Sequence, residues 1–156
     1  MAVAHEQFGV DLRLLLNLEH QTDRNPGSDL RVPKRPDGTA KDLEVLAEVA
    51  NLQQALLLRF LTRTGELTVL GHPGYGSRLY QLIGELNNEG NRNRAKLYVL
   101  ESLQAEPRVQ EVLSVNVTQN RADRTRMDIS VSLRTIVEGT VLNLVFPFFL
   151  QGGARP

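Results

Sequence analysis

The chain has no cysteine, which excludes disulfides, thiolate zinc sites and thiol nucleophiles. Histidine is scarce: His5, His20 and His72 are the three, and none has a partner at ligand spacing, so no metal site is expected. Lysine is equally scarce, with Lys34, Lys41 and Lys96 set against 15 Arg among 18 basic residues. Codon bias in a GC-rich genome is the plainest account, although the planar arginine fork also suits protein interfaces. Neither charge sign is in excess, because 18 acidic residues balance the 18 basic ones. Binding through phosphate neutralisation calls for a basic surplus, so nucleic acid is not expected as a partner. No apolar run approaches the roughly 20 residues that cross a bilayer. The opening segment carries Glu6 and Asp11 where an export signal would be basic. The expectation is a soluble chain made in the cytoplasm, without membrane insertion.

What is present is 156 residues, the length of one domain. Residues 1–41 are broken repeatedly by Pro26-Gly27, Pro33, Pro36 and Asp37-Gly38, and read as an extended arm with turns. A single α+β domain is expected over 42–150, and a flexible tail over 151–156. Apolar residues at helical spacing, among them Leu43, Leu46, Leu57, Leu58 and Leu61, predict a helix from about Ala40 to Thr62, with Thr39 as its N-cap. Leu67 to Leu70 reads as extended. Ser77 can cap a second helix, Arg78 to about Leu86, which Asn87, Asn88 and Gly90 would break. A third helix, about Arg92 to Gln104, must finish before Glu106-Pro107.

The last third alternates with a period of two. Leu113, Val115 and Val117 form one half-buried strand; Met127, Ile129, Val131 and Leu133 form another, with an exposed hairpin between. A third strand follows, Val141, Leu142, Asn143, Leu144, Val145, Phe146, Pro147, Phe148 and Phe149, apolar on both faces. The fold class is therefore α+β: an extended arm, about three helices, and a C-terminal three-stranded antiparallel sheet.

Catalytic chemistry finds little support. Glu66, Glu85, Glu101 and Glu106 are the carboxylates that could be nominated for glycoside hydrolysis, and no pattern singles out a pair. No nucleophile elbow, phosphate loop or dinucleotide fingerprint is present, so neither catalytic residues nor a cofactor are expected. Gly74, Tyr75, Gly76 and Ser77 read as a tight structural loop. Backbone N–H groups before a helix could hold an anion there, but no lysine stands nearby. Two features are odd. Glu106-Pro107-Arg108, read as extended, presents an acid and a base on one side. The final strand needs cover on both faces, and Pro147 marks it as a sheet edge, open to strand addition by another chain.

The order of these motifs resembles the sheath-initiator family of baseplate wedge proteins. That family belongs to contractile-tailed phages and related contractile injection systems, and members have carried the label "lysozyme-like". The matching stretches are FGVDL, NLQQALLLRFLTRTGEL (Asn51 to Leu67), HPGYGSRLYQLIG (His72 to Gly84) and EPRV (Glu106 to Val109), and with the terminal strands they cover nearly the whole chain. The resemblance implies a structural role, not an enzyme. Glu106, Pro107 and Arg108 would dock the core bundle of the baseplate wedge, and the strand Val141 to Phe149 would join the first ring of sheath subunits. It implies about six copies per baseplate, with wedge subunits and sheath subunits as partners and tail tube or hub proteins as further ones. The location would be the baseplate of a virion or injection particle, assembled in the host cytoplasm. The alternatives are a peptidoglycan hydrolase, which the family's label supports, and a regulatory adaptor of similar fold.

Overall fold

The computed structural model describes residues 8–14, 32–39, 42–137 and 140–151. The chain divides after Gln54 into two compact units. Most of the expected arm and tail lie outside the described residues, as do His5 and His20.

In the first unit, strand β1 (Val10–Leu12) pairs antiparallel with β2 (Val45–Ala47). A two-stranded ribbon is marginal alone. Two buried amides on the following helix α1 (Glu48–Leu61) fasten it. Asn51 Nδ2 donates to the Phe8 carbonyl at 2.9 Å, and Gln54 Nε2 donates to the Leu12 carbonyl at 2.7 Å. The Gln54 Oε1 accepts the Leu14 N–H at 2.8 Å, so this one amide satisfies two main-chain groups. FGVDL and the start of NLQQ are thus one structural device. Arg13 pairs with Glu44 at 2.9 Å on the same ribbon.

Helix α1 starts later than its apolar periodicity predicts. Thr39 caps no helix: its hydroxyl and N–H both donate to Asp37 Oδ1, at 2.6 and 2.9 Å, closing a turn around Gly38. Val45–Ala47 instead runs extended into Glu48, whose φ of +56° turns the chain into the helix at a cost of about 1–2 kcal/mol. The buried face also differs from the expected one. Leu52, Leu56, Leu57 and Phe60 are buried, whereas Leu61 is exposed. The run ALLLRFL is apolar nearly all round, so periodicity alone selects the wrong side.

In the second unit the predicted second helix shrinks to a 3-10 turn, Leu79–Leu82. Gly84 follows at φ +91° and donates to the Leu150 carbonyl at 2.6 Å, which diverts the chain out of helix. Leu67 to Leu70 is likewise not extended; Thr68–Leu70 forms another 3-10 turn. Among the described residues of this unit and the end of α1, the α-helices number two, not three. The next, α2 (Glu89–Gln104), begins before Arg92. Asn88, expected as a breaker, is its N-cap and accepts the Asn91 N–H at 2.8 Å.

The sheet is a meander, β3 (Val109–Gln119), β4 (Arg126–Thr135) and β5 (Val141–Phe149), in the order β3-β4-β5. Met127, Ile129, Val131 and Leu133 point inward as their alternation predicts. Leu113 does not. The β3–β4 register shifts between Val112 and Ser114, so Leu113 is the extra residue of a bulge and stays nearly half exposed while Val115 is buried. Helix α2 packs on β3. Phe60 stacks on Phe146 with ring centroids 4.9 Å apart and planes 12° apart, tying the end of α1 to β5.

Candidate functional site

Two places gather the residues singled out in the sequence. One is the turn after α2. Pro107 stands second in a four-residue turn, closed by Val109 N–H to the Glu106 carbonyl at 3.1 Å. The segment is therefore a turn and not extended. The turn still brings its acid and base together, with Arg108 Nε donating to Glu106 Oε1 at 2.6 Å.

A third group completes the cluster. Arg59, in the last turn of α1, donates through Nη2 to the other oxygen, Glu106 Oε2, at 3.1 Å. Its guanidinium lies 4.6 Å from the centre of the Tyr75 ring. Both Arg59 and Glu106 are buried, at 8% and 4% exposure. The stacking leaves the buried Arg59 Nε–H without an acceptor among the described residues. Burial by itself would raise the Glu106 pKa. The hydrogen bond and charge of Arg108, followed by the charge of Arg59, outweigh it and hold the carboxyl below its ordinary range. Burial pushes the Tyr75 phenol up, with the charge of Glu106 adding to it and the arginines opposing.

The loop Gly74–Ser77 holds Tyr75 in place. Ser77 N–H donates to the Thr62 carbonyl at 2.8 Å, and Thr64 N–H donates to the Ser77 carbonyl at 3.1 Å. Gly76 has φ +111°, and a Cβ there would lie 2.7 Å from the Thr62 carbonyl oxygen. No other residue fits without moving the backbone. The 3-10 turn after Ser77 is too short to build an anion site.

Chemically, the cluster is a saturated carboxylate between two guanidiniums. Glu106 has both oxygens engaged in the interior, so it orients the arginines and offers nothing outward. Arg108, with a quarter of its side chain exposed, and the exposed Pro107 form the outer face. Sequence reasoning missed Arg59. The available signal was one arginine inside an apolar run, a charge that must find a partner once the helix is buried. Each of the three tyrosines carries an arginine: Arg59 on Tyr75, Arg63 on Tyr80 and Arg78 on Tyr98. This stacking gives the arginine-rich composition a structural use that lysine serves less well.

The second place is β5. Leu142, Leu144, Phe146 and Phe148 are buried on one face, while Val141 and Val145 are about half exposed on the other. Among the described residues no strand pairs with its outer side. The other nominated carboxylates lie apart from the cluster. Glu66 accepts the Arg63 N–H, Glu101 pairs with Arg78 at 3.4 Å, and Glu85 is exposed. Among the described residues, no three His, Asp or Glu side chains gather as metal ligands, and no helix is long and apolar enough to cross a membrane.

Taken together, the architecture is an α+β unit that ends in an open meander, with an arginine-clamped turn where α2 meets β3. The fold has a solved counterpart. The chain is similar to a protein from Geobacter sulfurreducens, provisionally named a tail lysozyme, at a TM-score of 0.57 and 27% identity; the match covers 67% of this chain and 92% of that one. At the level of the fold, the chain is therefore related to a tail protein. No protein-family model matches it. No curated protein matches it either.

Proposed function

We propose that this chain is a structural component of a contractile tail or injection machine: a sheath initiator. It docks the baseplate wedge through the outer face of the Glu106–Arg108 turn and offers the β5 edge to the first ring of sheath subunits. The observation that carries the reading is the fold shared with a tail protein, which in this chain ends in a regular, apolar strand without a charged side chain. Strand addition supplies main-chain hydrogen bonds for affinity and alternate side-chain positions for register. The Arg59–Glu106–Arg108 cluster fixes Arg108 at the point where the sheet begins, so docking and sheet geometry are mechanically linked. Its partners are wedge and sheath subunits, about six copies ring the baseplate, and it resides in the assembled particle.

The hydrolase alternative draws on the name of the structural neighbour. Glycoside hydrolysis needs a carboxyl kept protonated by a raised pKa. Glu106 is shifted the other way and has both oxygens occupied. We therefore read the chain as a non-enzyme.

The test is co-expression with candidate wedge subunits. Arg108→Ala should fold normally and lose at least about tenfold in wedge capture, the value of one charge-assisted contact. Wild-type capture by a folded Arg108→Ala chain overturns the docking assignment.

A further inference from the structure

Arginine is almost always committed inside this fold. Arg126 pairs with Asp128 and Arg134 with Glu111, each at 2.6 Å. Arg63 lies over the Tyr80 ring, and Arg92 donates to the main-chain and side-chain oxygens of Asn87. Among the described residues, the arginine side chains outside such contacts are Arg35, Arg121 and Arg124. Arg121 and Arg124 stand together in the turn between β3 and β4, and both are exposed.

That turn is built more firmly than a solvated connection needs to be. It runs over residues 120–125, longer than the usual hairpin loop of about two to five residues. Asn120 Oδ1 accepts the N–H groups of Ala122 and Asp123, each at 2.9 Å. Asp123 Oδ1 accepts the Thr125 N–H at 2.9 Å and its hydroxyl at 2.6 Å. Asn87, just before α2, donates to the Arg124 and Arg126 carbonyls at 2.9 and 3.1 Å and braces the turn from another element. Asp128 has one oxygen on Arg126 and the other on Asn120 Nδ2 at 2.8 Å. The acids of the hairpin are thus engaged in holding it, and the Arg121 and Arg124 side chains take no part. A hollow of about 510 Å³ opens beside Arg121, bounded also by Thr118, Gln119, Asn120 and Asp128 and within the ordinary size range of ligand clefts.

We propose that the β3–β4 turn is a docking site for an acidic segment of a partner protein, whose carboxylates are taken by Arg121 and Arg124. The planar guanidinium fork meets a carboxylate in two parallel hydrogen bonds, and a turn already braced loses little freedom on binding. Charge selects the class of ligand. Residues 119–128 carry Arg121, Arg124 and Arg126 against Asp123 and Asp128, a small positive excess concentrated on the two uncommitted arginines. Nucleic acid is held through many phosphate contacts at once, and two arginines beside an aspartate supply too few. A short protein segment with a pair of carboxylates matches what the turn offers. Neither the wedge nor the sheath assignment enters this reading, which rests on the turn alone.

The experiment is an NMR titration of the full chain with hexaglutamate, followed on the amides of residues 119–126 and on the arginine Nε–H groups. Hexaglutamine and a short DNA duplex are the comparison ligands. The expected result is saturable shifts at the turn with hexaglutamate and none with hexaglutamine. Arg121→Gln and Arg124→Gln should each weaken binding about fivefold and together about 25-fold, as exposed charge pairs do, while Arg35→Gln leaves it unchanged. No shifts at the turn, or unchanged binding by the double variant, overturns the proposal. An equal loss with Arg35→Gln does so too, because binding would then follow diffuse charge. Tighter binding of the duplex at the turn makes the ligand a nucleic acid and overturns it as well, as does a turn already occupied by a second copy, read from shifts that move with protein concentration.

Discussion

Glu106 is the residue whose replacement most sharply tests the physics of the candidate site. Glu106→Ala would leave Arg59, 8% exposed, as a buried charge without its counter-ion. Breaking a buried pair from one side costs about 3–5 kcal/mol. Arg108 keeps a quarter of its side chain in water and can rehydrate, which favours the lower end, about 3 kcal/mol. At about 3 °C per kcal/mol for a chain of this size, the melting point should fall by about 10 °C. Glu106→Gln keeps one acceptor and should lose about 2 kcal/mol. The double variant Arg59→Met with Glu106→Met removes both buried charges and should recover to within about 1 kcal/mol of wild type. Acid should discriminate further. The folded pKa of Glu106 lies below its ordinary value of 4.5, so its stabilisation is complete above that value and is lost as the pH falls through the folded one. Urea titrations at pH 7 and at decreasing pH read all of this: wild type should lose stability in acid more steeply than Glu106→Gln. A Glu106→Ala chain within about 1 kcal/mol of wild type at pH 7, or equal acid slopes for wild type and Glu106→Gln, would refute the reasoning.

Two other perturbations follow from the geometry. Gly76→Ala should cost at least about 3 kcal/mol through its left-handed backbone and the close Thr62 and Arg63 main chain, whereas Gly74→Ala, with nothing within 4 Å, should be nearly silent; thermal melts decide. Gln54→Ala should cost about 2 kcal/mol and raise hydrogen exchange at the Leu14 amide at least about tenfold, because that amide loses its acceptor and the Leu12 carbonyl its donor.

The strands were the most legible part of the fold, because period-two alternation in Met127 to Leu133 leaves one register that buries the apolar side. The helices were less so. Ser77 looked like a cap, but the sequence after it holds only one 3-10 turn before Gly84 turns left-handed. Glu48 hid the start of α1, since a left-handed glutamate carries no pattern that periodicity can detect. At the candidate site, Glu106 and Arg108 stood out as an acid and a base on either side of a proline, although the segment was expected to be extended and is a turn. Arg59 lies 47 residues away from Glu106 in the chain, and only the fold brings the two together. The bulge at Leu113 was invisible for a similar reason: it is defined by the register of a partner strand and not by its own side chain.

The most direct measurement of the central claim is electron microscopy of particles assembled with and without this chain, its gene supplied back in trans as control. The account predicts that particles lacking it retain baseplate and tube but carry no sheath, and that the restored gene returns the sheath. Fully sheathed particles in its absence would contradict the role proposed for it.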